Sequence, residues 1–312
     1  MKQRVLVTGG AGYIGSILVP KLLEKGFAVT VLDTFARGDT DLAMSCADRD
    51  FIPVLGNVRD MKLVKELVSH TDIVIPLAAL VGAPLCARDP ITAAAVNREA
   101  VVELAGLVGK NQKIIYPTTN SGYGIGEPGK ECTEQTELRP ISLYGADKVA
   151  AEKAILDSGN GITLRLATVF GMAPRMRIDL LVNDFTLRAV LDRAVVIFEG
   201  HFKRNYIHVR DVARAFVHSI ENYETMNNQP YNVGLSDANL SKLELCERIQ
   251  RQLPKFVYIE APVGEDPDKR DYIVSNAKIE KSGWMPKHSL DAGIAELIKG
   301  YQMINTKRFA NV

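Results

Sequence analysis

The 312-residue sequence holds no apolar run near the ~20 residues that a membrane-spanning helix needs, so it offers no candidate for one. Its four cysteines (Cys46, Cys86, Cys132, Cys246) are scattered and include no C-x-x-C pair. That spacing points to reduced thiols and away from a disulfide framework or a zinc ribbon. Its five histidines show no metal-ligand spacing, and no metal site is expected. Charge of one sign is also missing: 38 Lys and Arg face 37 Asp and Glu, for a net charge of +1. Nothing in that balance draws the chain to nucleic acid or to an acidic membrane. No internal repeat or low-complexity tract is present. What is left is an ordinary globular composition, 46% hydrophobic and 24% charged, expected in the cytoplasm. Its length suits about two units of ~150 residues, or one large α/β unit with an appended lobe.

The first half alternates strands and helices. Arg4–Thr8 is a short apolar strand, and residues 16–25 read as a helix. Between them lie Gly9, Gly12 and Gly15 in a G-x-x-G-x-x-G run. The first glycine permits a tight turn, the second lets backbone approach a pyrophosphate, and the third allows close helix–strand packing. The helix N-terminus then offers free N–H groups to phosphate. The next strand, 28–32, ends at Asp33, whose carboxylate suits both ribose hydroxyls and repels a 2′-phosphate. That favours NAD over NADP, with Arg37 nearby as the one residue against it. A third strand, 51–55, ends at Asn57 and Val58, placed to flank an adenine, and 61–69 is helical. A fourth strand, 72–75, leads into Pro76-Leu77-Ala78-Ala79, small enough to leave room for a dinucleotide. Residues 79–90 carry two prolines and read as an irregular loop, 93–109 as a long helix, and 113–116 as a fifth strand. The pattern predicts a Rossmann-type doubly wound parallel sheet over residues 1–170, with some later returns to it. Residues 171–312 would form mainly a smaller C-terminal α/β substrate lobe.

Beyond the fifth strand stand Thr118, Thr119, Asn120 and Ser121, hydroxyls and an amide at the ligand-binding edge of a parallel sheet. Further on, Tyr144 and Lys148 are separated by three residues, so on a helix they share a face. A lysine ammonium beside a tyrosine favours the phenolate and lowers a pKa that is otherwise about 10. Such a pair can take a proton from an alcohol as hydride leaves the same carbon.

Taken together, the glycine loop, Asp33, Leu77–Ala79, the Thr/Ser cluster before Tyr123-Gly124, and Tyr144-x-x-x-Lys148 resemble the extended short-chain dehydrogenase/reductases. Within them the match is to the nucleotide-sugar epimerase/dehydratase group. The resemblance implies an NAD-dependent enzyme with a tightly held cofactor and a catalytic trio of Thr119, Tyr144 and Lys148. It also implies cofactor contacts from Gly9, Gly12, Tyr13, Ile14, Gly15, Asp33, Asn57, Val58, Leu77, Ala78, Ala79, Asn97, Thr118, Tyr144 and Lys148. Substrate contacts would come from Val81, Thr119, Asn120, Ser121, Arg175, Asn183, Arg204 and Arg270. Arginine suits a substrate diphosphate because its planar fork binds oxygens in pairs.

Several positions depart from the family pattern. Asn57 stands where Asp is usual, Pro76 where His is frequent, and Thr168 where Asn often meets the substrate phosphate. Asn120-Ser121 replaces the Asp-Glu with which 4,6-dehydratases move protons at C5 and C6. Losing each such group costs roughly a hundredfold or more, which demotes a dehydratase. The stretches at 79–84, 117–121 and 199–208 resemble a small branch that oxidises C4 of GDP-linked heptose in capsule pathways, with 2-oxoglutarate reoxidising the NADH. An NDP-sugar 4-epimerase stays open beside that 4-dehydrogenase, and a non-catalytic NAD sensor is disfavoured by the joint presence of the trio. The family also implies a homodimer or higher homo-oligomer, pairing helices 93–109 and 144–157.

Overall fold

The computed structural model describes residues 2–36, 40–264 and 269–304. Arg37, and Pro267-Asp268 before Arg270, lie outside the described residues.

Seven strands make one parallel sheet: β1 (Arg4–Thr8), β2 (Ala28–Asp33), β3 (Phe51–Leu55), β4 (Ile73–Pro76), β5 (Lys113–Thr119), β6 (Gly161–Leu166) and β7 (Pro230–Val233). Their order is β7-β6-β5-β4-β1-β2-β3. The central strands are apolar runs buried on both faces, as helices on either side require: Val5, Leu6 and Val7 are each at most 1% exposed. The order reverses between β1 and β4, where register sets Thr8 against Pro76. The loops that leave these strands diverge there, and the crevice between them is where a doubly wound sheet binds ligands. The architecture is the expected Rossmann-type α/β fold, with β7 joining the sheet from residue 230 onward.

Helix α1 (Gly15–Glu24) follows the glycine loop and α2 (Met61–Ser69) is capped by Asp60, which accepts from Leu63 N at 3.2 Å. Residues 79–90 are more ordered than expected, because Ala83–Arg88 is a short helix. The long helix also starts early, at Pro90. Asp89 caps it, accepting from Thr92 N at 3.0 Å, and proline suits the first turn, where its missing N–H removes no bond. The two prolines that read as loop breakers are thus helix starters. The chain then passes through a π turn at Ala95–Glu99 and ends as α3 (Ala100–Leu107). Helix α4 (Leu143–Asp157) starts at Ser142, whose hydroxyl accepts from Gly145 N at 3.1 Å.

Residues 161–171 form two strands. β6 ends at Leu166, Ala167 donates to Val233 O at 2.9 Å, and Thr168–Phe170 begins a different sheet. That sheet pairs Thr168–Phe170 with Lys203–His208, and Lys203–His208 with Asn239–Ser241. Fully buried Phe170, Tyr206 and Phe216 carry the hydrophobic core from the large sheet into this lobe. Three hydrogen bonds tie the lobe to the glycine loop. Tyr13 Oη donates to Gly171 O at 2.6 Å, Asn183 Nδ2 donates to Tyr13 Oη at 3.3 Å, and Arg175 N donates to Ser16 Oγ at 3.3 Å.

Among the described residues, no helix is long and apolar enough to cross a membrane, and no cluster of His, Cys, Asp and Glu is arranged to hold a metal.

Candidate functional site

A cavity of about 560 Å³ opens at the C-terminal ends of β1, β2, β4 and β5 and runs toward the second lobe. Its first wall is the glycine loop. Gly9 has φ +69°, and a Cβ there would lie 2.5 Å from Ala78 Cα, so turn and close approach both demand glycine. A Cβ on Gly15 would lie 2.2 Å from Gly10 O. Gly12 differs: a Cβ would meet only Gly9 O, at 3.2 Å, and would fill space that the loop otherwise leaves to a ligand. At the end of β2, Asp33 accepts from Ala11 N at 3.0 Å and from Phe35 N at 2.9 Å. One bond falls on each carboxylate oxygen, which leaves lone pairs on both for a ribose diol. Asn57, Val58 and Leu77–Ala79 complete this end of the cavity, with Tyr13 and Ile14. Thr118 Oγ1 is buried on the same wall and has no partner among the described residues. An orphaned hydroxyl is costly to bury and fits a site that completes its bonding with a ligand. These features fit a dinucleotide.

Thr119, Ser121, Tyr144 and Lys148 line the same cavity, as do Val81, Arg175 and Arg270. Thr119 Oγ1 donates to Ser121 Oγ at 2.9 Å and accepts from Ser121 N at 3.1 Å. Arg270 Nη1 also donates to Ser121 Oγ. A chain of hydroxyls therefore joins a guanidinium to Thr119.

The electrostatics differ from the sequence expectation. Burial pushes the half-buried Tyr144 phenol up to about 12, opposed by the nearby cations Arg177 and Arg270. Lys148 points elsewhere: its Nζ donates to Tyr116 Oη and to Pro117 O, both at 2.9 Å. Burial brings this lysine down to about 7. So the charges that favour a Tyr144 phenolate come from two arginines far along the chain, not from the lysine one turn away. Below them Glu152, on α4, receives Arg165 Nη2 at 2.6 Å and Nε at 3.0 Å, which anchors the helix that carries Tyr144 and Lys148.

Four expected contact residues lie off the cavity wall, and three of them turn their side chains to the protein's own polar groups. Asn97 sits in the π turn, and its amide bonds Leu80 N at 2.8 Å and Leu80 O at 2.9 Å, which fixes the strand-four loop. Asn183 is fully buried, accepting from Gly171 N at 3.0 Å and donating to Arg177 O at 2.8 Å. Arg204 is buried over the Tyr272 ring and donates to Lys203 O at 2.9 Å. Asn120 is buried with its amide atoms unpartnered among the described residues. The remaining expected residues all line the cavity.

Other lining residues were not singled out as contacts from sequence: Phe35, Ala36, Arg59, Leu180 and Tyr272. The first two lie two and three residues after Asp33, so adjacency in the chain accounts for their position. Arg177 also lines it, held by Asp179 at 2.7 and 2.6 Å.

The same architecture recurs in known proteins. The chain is 26% identical over 315 residues to UDP-glucuronic acid decarboxylase 1 of Arabidopsis thaliana, covering 96% of this chain and 70% of that protein. It is 28% identical over 310 residues to the low-salt glycan biosynthesis protein Agl12 of Haloferax volcanii, covering 95% and 98%. The structure superposes on the UDP-glucose 4-epimerase of Thermotoga maritima with a TM-score of 0.84 at 26% identity, covering 96% of this chain and 99% of that one. It superposes on the UDP-glucose 4-epimerase of Thermus thermophilus, solved with NAD, with a TM-score of 0.80 at 25% identity, covering 96% and 99%. Residues 5–234, which take in the glycine loop, Asp33, Thr119, Tyr144 and Lys148, match the NAD dependent epimerase/dehydratase family, and the chain belongs to that NAD-dependent enzyme family.

Proposed function

We propose that the protein is a 4-dehydrogenase of a nucleotide-linked sugar, acting on a GDP-linked heptose in cytoplasmic capsule biosynthesis. The observation that carries the chemistry is that Thr119, Tyr144 and Lys148 line one cavity together with the glycine loop and Asp33, with Ser121 there rather than an acid. Bound NAD supplies the hydride acceptor. Thr119 holds the sugar 4-hydroxyl, and Tyr144, with Lys148 one helical turn further on, takes that hydroxyl's proton as the C4–H bond breaks. Arg177 and Arg270 favour the phenolate this needs. With no carboxylate at 120 or 121 to carry a second proton, elimination at C5 and C6 lacks its acid and base. The product is a 4-keto sugar. A keto acid such as 2-oxoglutarate then takes the hydride and a proton and leaves as a 2-hydroxy acid, which restores the oxidised cofactor. The named activities of the relatives, on UDP-glucose and UDP-glucuronic acid, support a nucleotide sugar as the substrate class. The GDP-heptose assignment rests on the motif resemblance alone. The same resemblance supports a homodimer or higher homo-oligomer formed through α4 and the helix that ends as α3.

A second reading, a nucleotide-sugar 4-epimerase, is favoured by the epimerase relatives. Near-ultraviolet absorption of the purified protein separates the two. With GDP- or UDP-sugars added, a 4-dehydrogenase leaves its nicotinamide reduced until a keto acid is supplied. An epimerase reduces it only in passing while the sugar inverts. Purified protein that holds no nicotinamide would sink both readings.

A further inference from the structure

A lysine amine hangs on a flexible four-carbon stem and keeps a fixed place only if its surroundings hold it. Lys148 descends from α4 to the floor of the cavity, where two acceptors meet it. One is Pro117 O and the other is Tyr116 Oη. Tyr116 stands on β5, fully buried, packed with Val101, Ala105, Ile114, Ala151 and Ile155. Lys148 Nζ also lies 4.3 Å from the centre of the Tyr116 ring. The other titratable groups facing this pair are Tyr144, Asp147 and Glu152 from α4 and Cys86 from the short helix at 83–88.

We propose that Tyr116 is a positioning residue that holds Lys148 Nζ on the floor of the cavity in both protonation states of the amine. This rests on the reading of Tyr144 and Lys148 as the groups that handle the proton.

A carbonyl can only accept, whereas a phenol hydroxyl accepts and donates. When Lys148 is an ammonium, two N–H groups go to Pro117 O and Tyr116 Oη, and the third is left for the cavity. When it is a neutral amine, Tyr116 O–H turns to donate to the nitrogen lone pair. One N–H stays on Pro117 O and the other still serves the cavity. The cavity-facing donor survives either way. Both amine forms matter near neutral pH because burial brings Lys148 to about 7. Burial raises the Tyr116 phenol well above its ordinary 10, so that hydroxyl keeps the proton it needs to donate. Phenylalanine at 116 would keep the packing and the ring beneath the ammonium and remove only this two-way contact.

The test is the full-length holoenzyme with Tyr116→Phe, assayed for sugar oxidation across pH. A charge-assisted bond to the ammonium is stronger than the bond to the neutral amine. Its loss therefore lowers the Lys148 pKa. With the phenol in place kcat should not titrate with Lys148, whereas in Tyr116→Phe it should acquire an alkaline limb, falling as pH rises through the lowered Lys148 pKa. kcat should fall roughly tenfold while KM stays within about twofold, the pattern of lost orientation rather than lost binding. Tyr116→Phe with unchanged kcat and no alkaline limb would overturn the proposal. Incorporating 3-fluorotyrosine at position 116 keeps the fold and makes the oxygen a poorer acceptor. That protein keeps the hydroxyl that donates to the neutral amine, so kcat should stay free of the new alkaline limb, and a limb like that of Tyr116→Phe would also overturn the proposal. Tyr144→Phe and Lys148→Met, run alongside, test the underlying reading. Full activity in either would sink the proton-handling pair itself, an outcome distinct from failure at Tyr116 alone.

Discussion

Arg165 and Glu152 meet in a buried, two-pronged ion pair 13 residues apart in sequence, with Nη2 at 2.6 Å and Nε at 3.0 Å from Oε1. The guanidinium goes on to Tyr123 Oη at 3.0 Å. Breaking one partner of a buried pair leaves an uncompensated charge, typically at 3–5 kcal/mol. Glu152→Gln should therefore lower unfolding free energy by about 3 kcal/mol. The double replacement Arg165→Met with Glu152→Leu should recover most of it. Urea unfolding of the three proteins measures both, and a double variant no more stable than the single one would contradict the prediction.

The glycine loop separates fold from ligand binding. At Gly12 an added methyl meets only Gly9 O at 3.2 Å, so Gly12→Ala should fold normally. It should lose cofactor affinity by about tenfold or more, because the methyl stands where backbone must approach phosphate. At Gly15 the methyl would sit 2.2 Å from Gly10 O, and Gly15→Ala should cost about 2 kcal/mol or more of stability. Calorimetric titration with NAD and thermal midpoints of both variants check the contrast.

Lys148 is expected to trade stability for function. Its folded pKa, about 7, lies below the ordinary 10.5. The penalty for burying it is therefore full below pH 7 and fades as pH rises toward 10.5. Lys148→Met should abolish activity and stabilise the ligand-free protein by about 1–3 kcal/mol at pH 6, net of the partner lost at Tyr116. That gain should vanish near pH 10. Thermal midpoints at both pH values decide it, and a variant less stable at pH 6 would count against the assignment.

Glu296 should govern part of the acid limb of stability. Burial alone would raise its pKa, but His208 at 3.4 Å and Arg210 at 2.5 Å outweigh that and bring it down to about 2. A carboxyl lowered on folding stabilises above its unfolded pKa, and the contribution is lost as pH falls through the folded one. The window therefore runs from about pH 4.5 down to about 2. A shift of about two units corresponds to about 3 kcal/mol. Glu296→Gln should be less stable than wild type by about that amount at pH 7 and should converge on it toward pH 2. Denaturant midpoints at pH 7 and pH 2.5 measure the difference.

The sequence made the sheet and the cofactor end of the cavity legible because local rules there act on short segments. β1, Gly9, Gly15 and Asp33 follow from turn geometry, close packing and a strand end, each decided within a few residues. Side chains decided by distant partners were not legible. Asn183 turns to Gly171 and Tyr13, and Arg204 lies over Tyr272, pairings that only the folded lobe brings about. Lys148 shares a helical face with Tyr144, yet its amine finds acceptors on β5, which helical spacing does not foresee. The short helix at 83–88 was hidden because proline marks both a break and a beginning.

Ala167 alone separates the last residue of β6 from the first residue of the second sheet, and it is itself hydrogen-bonded to Val233. The two sheets are thus joined at the cavity wall by a single residue that is itself fixed to the larger sheet, so the strand that carries Thr168 takes its position directly from the end of the strand before it.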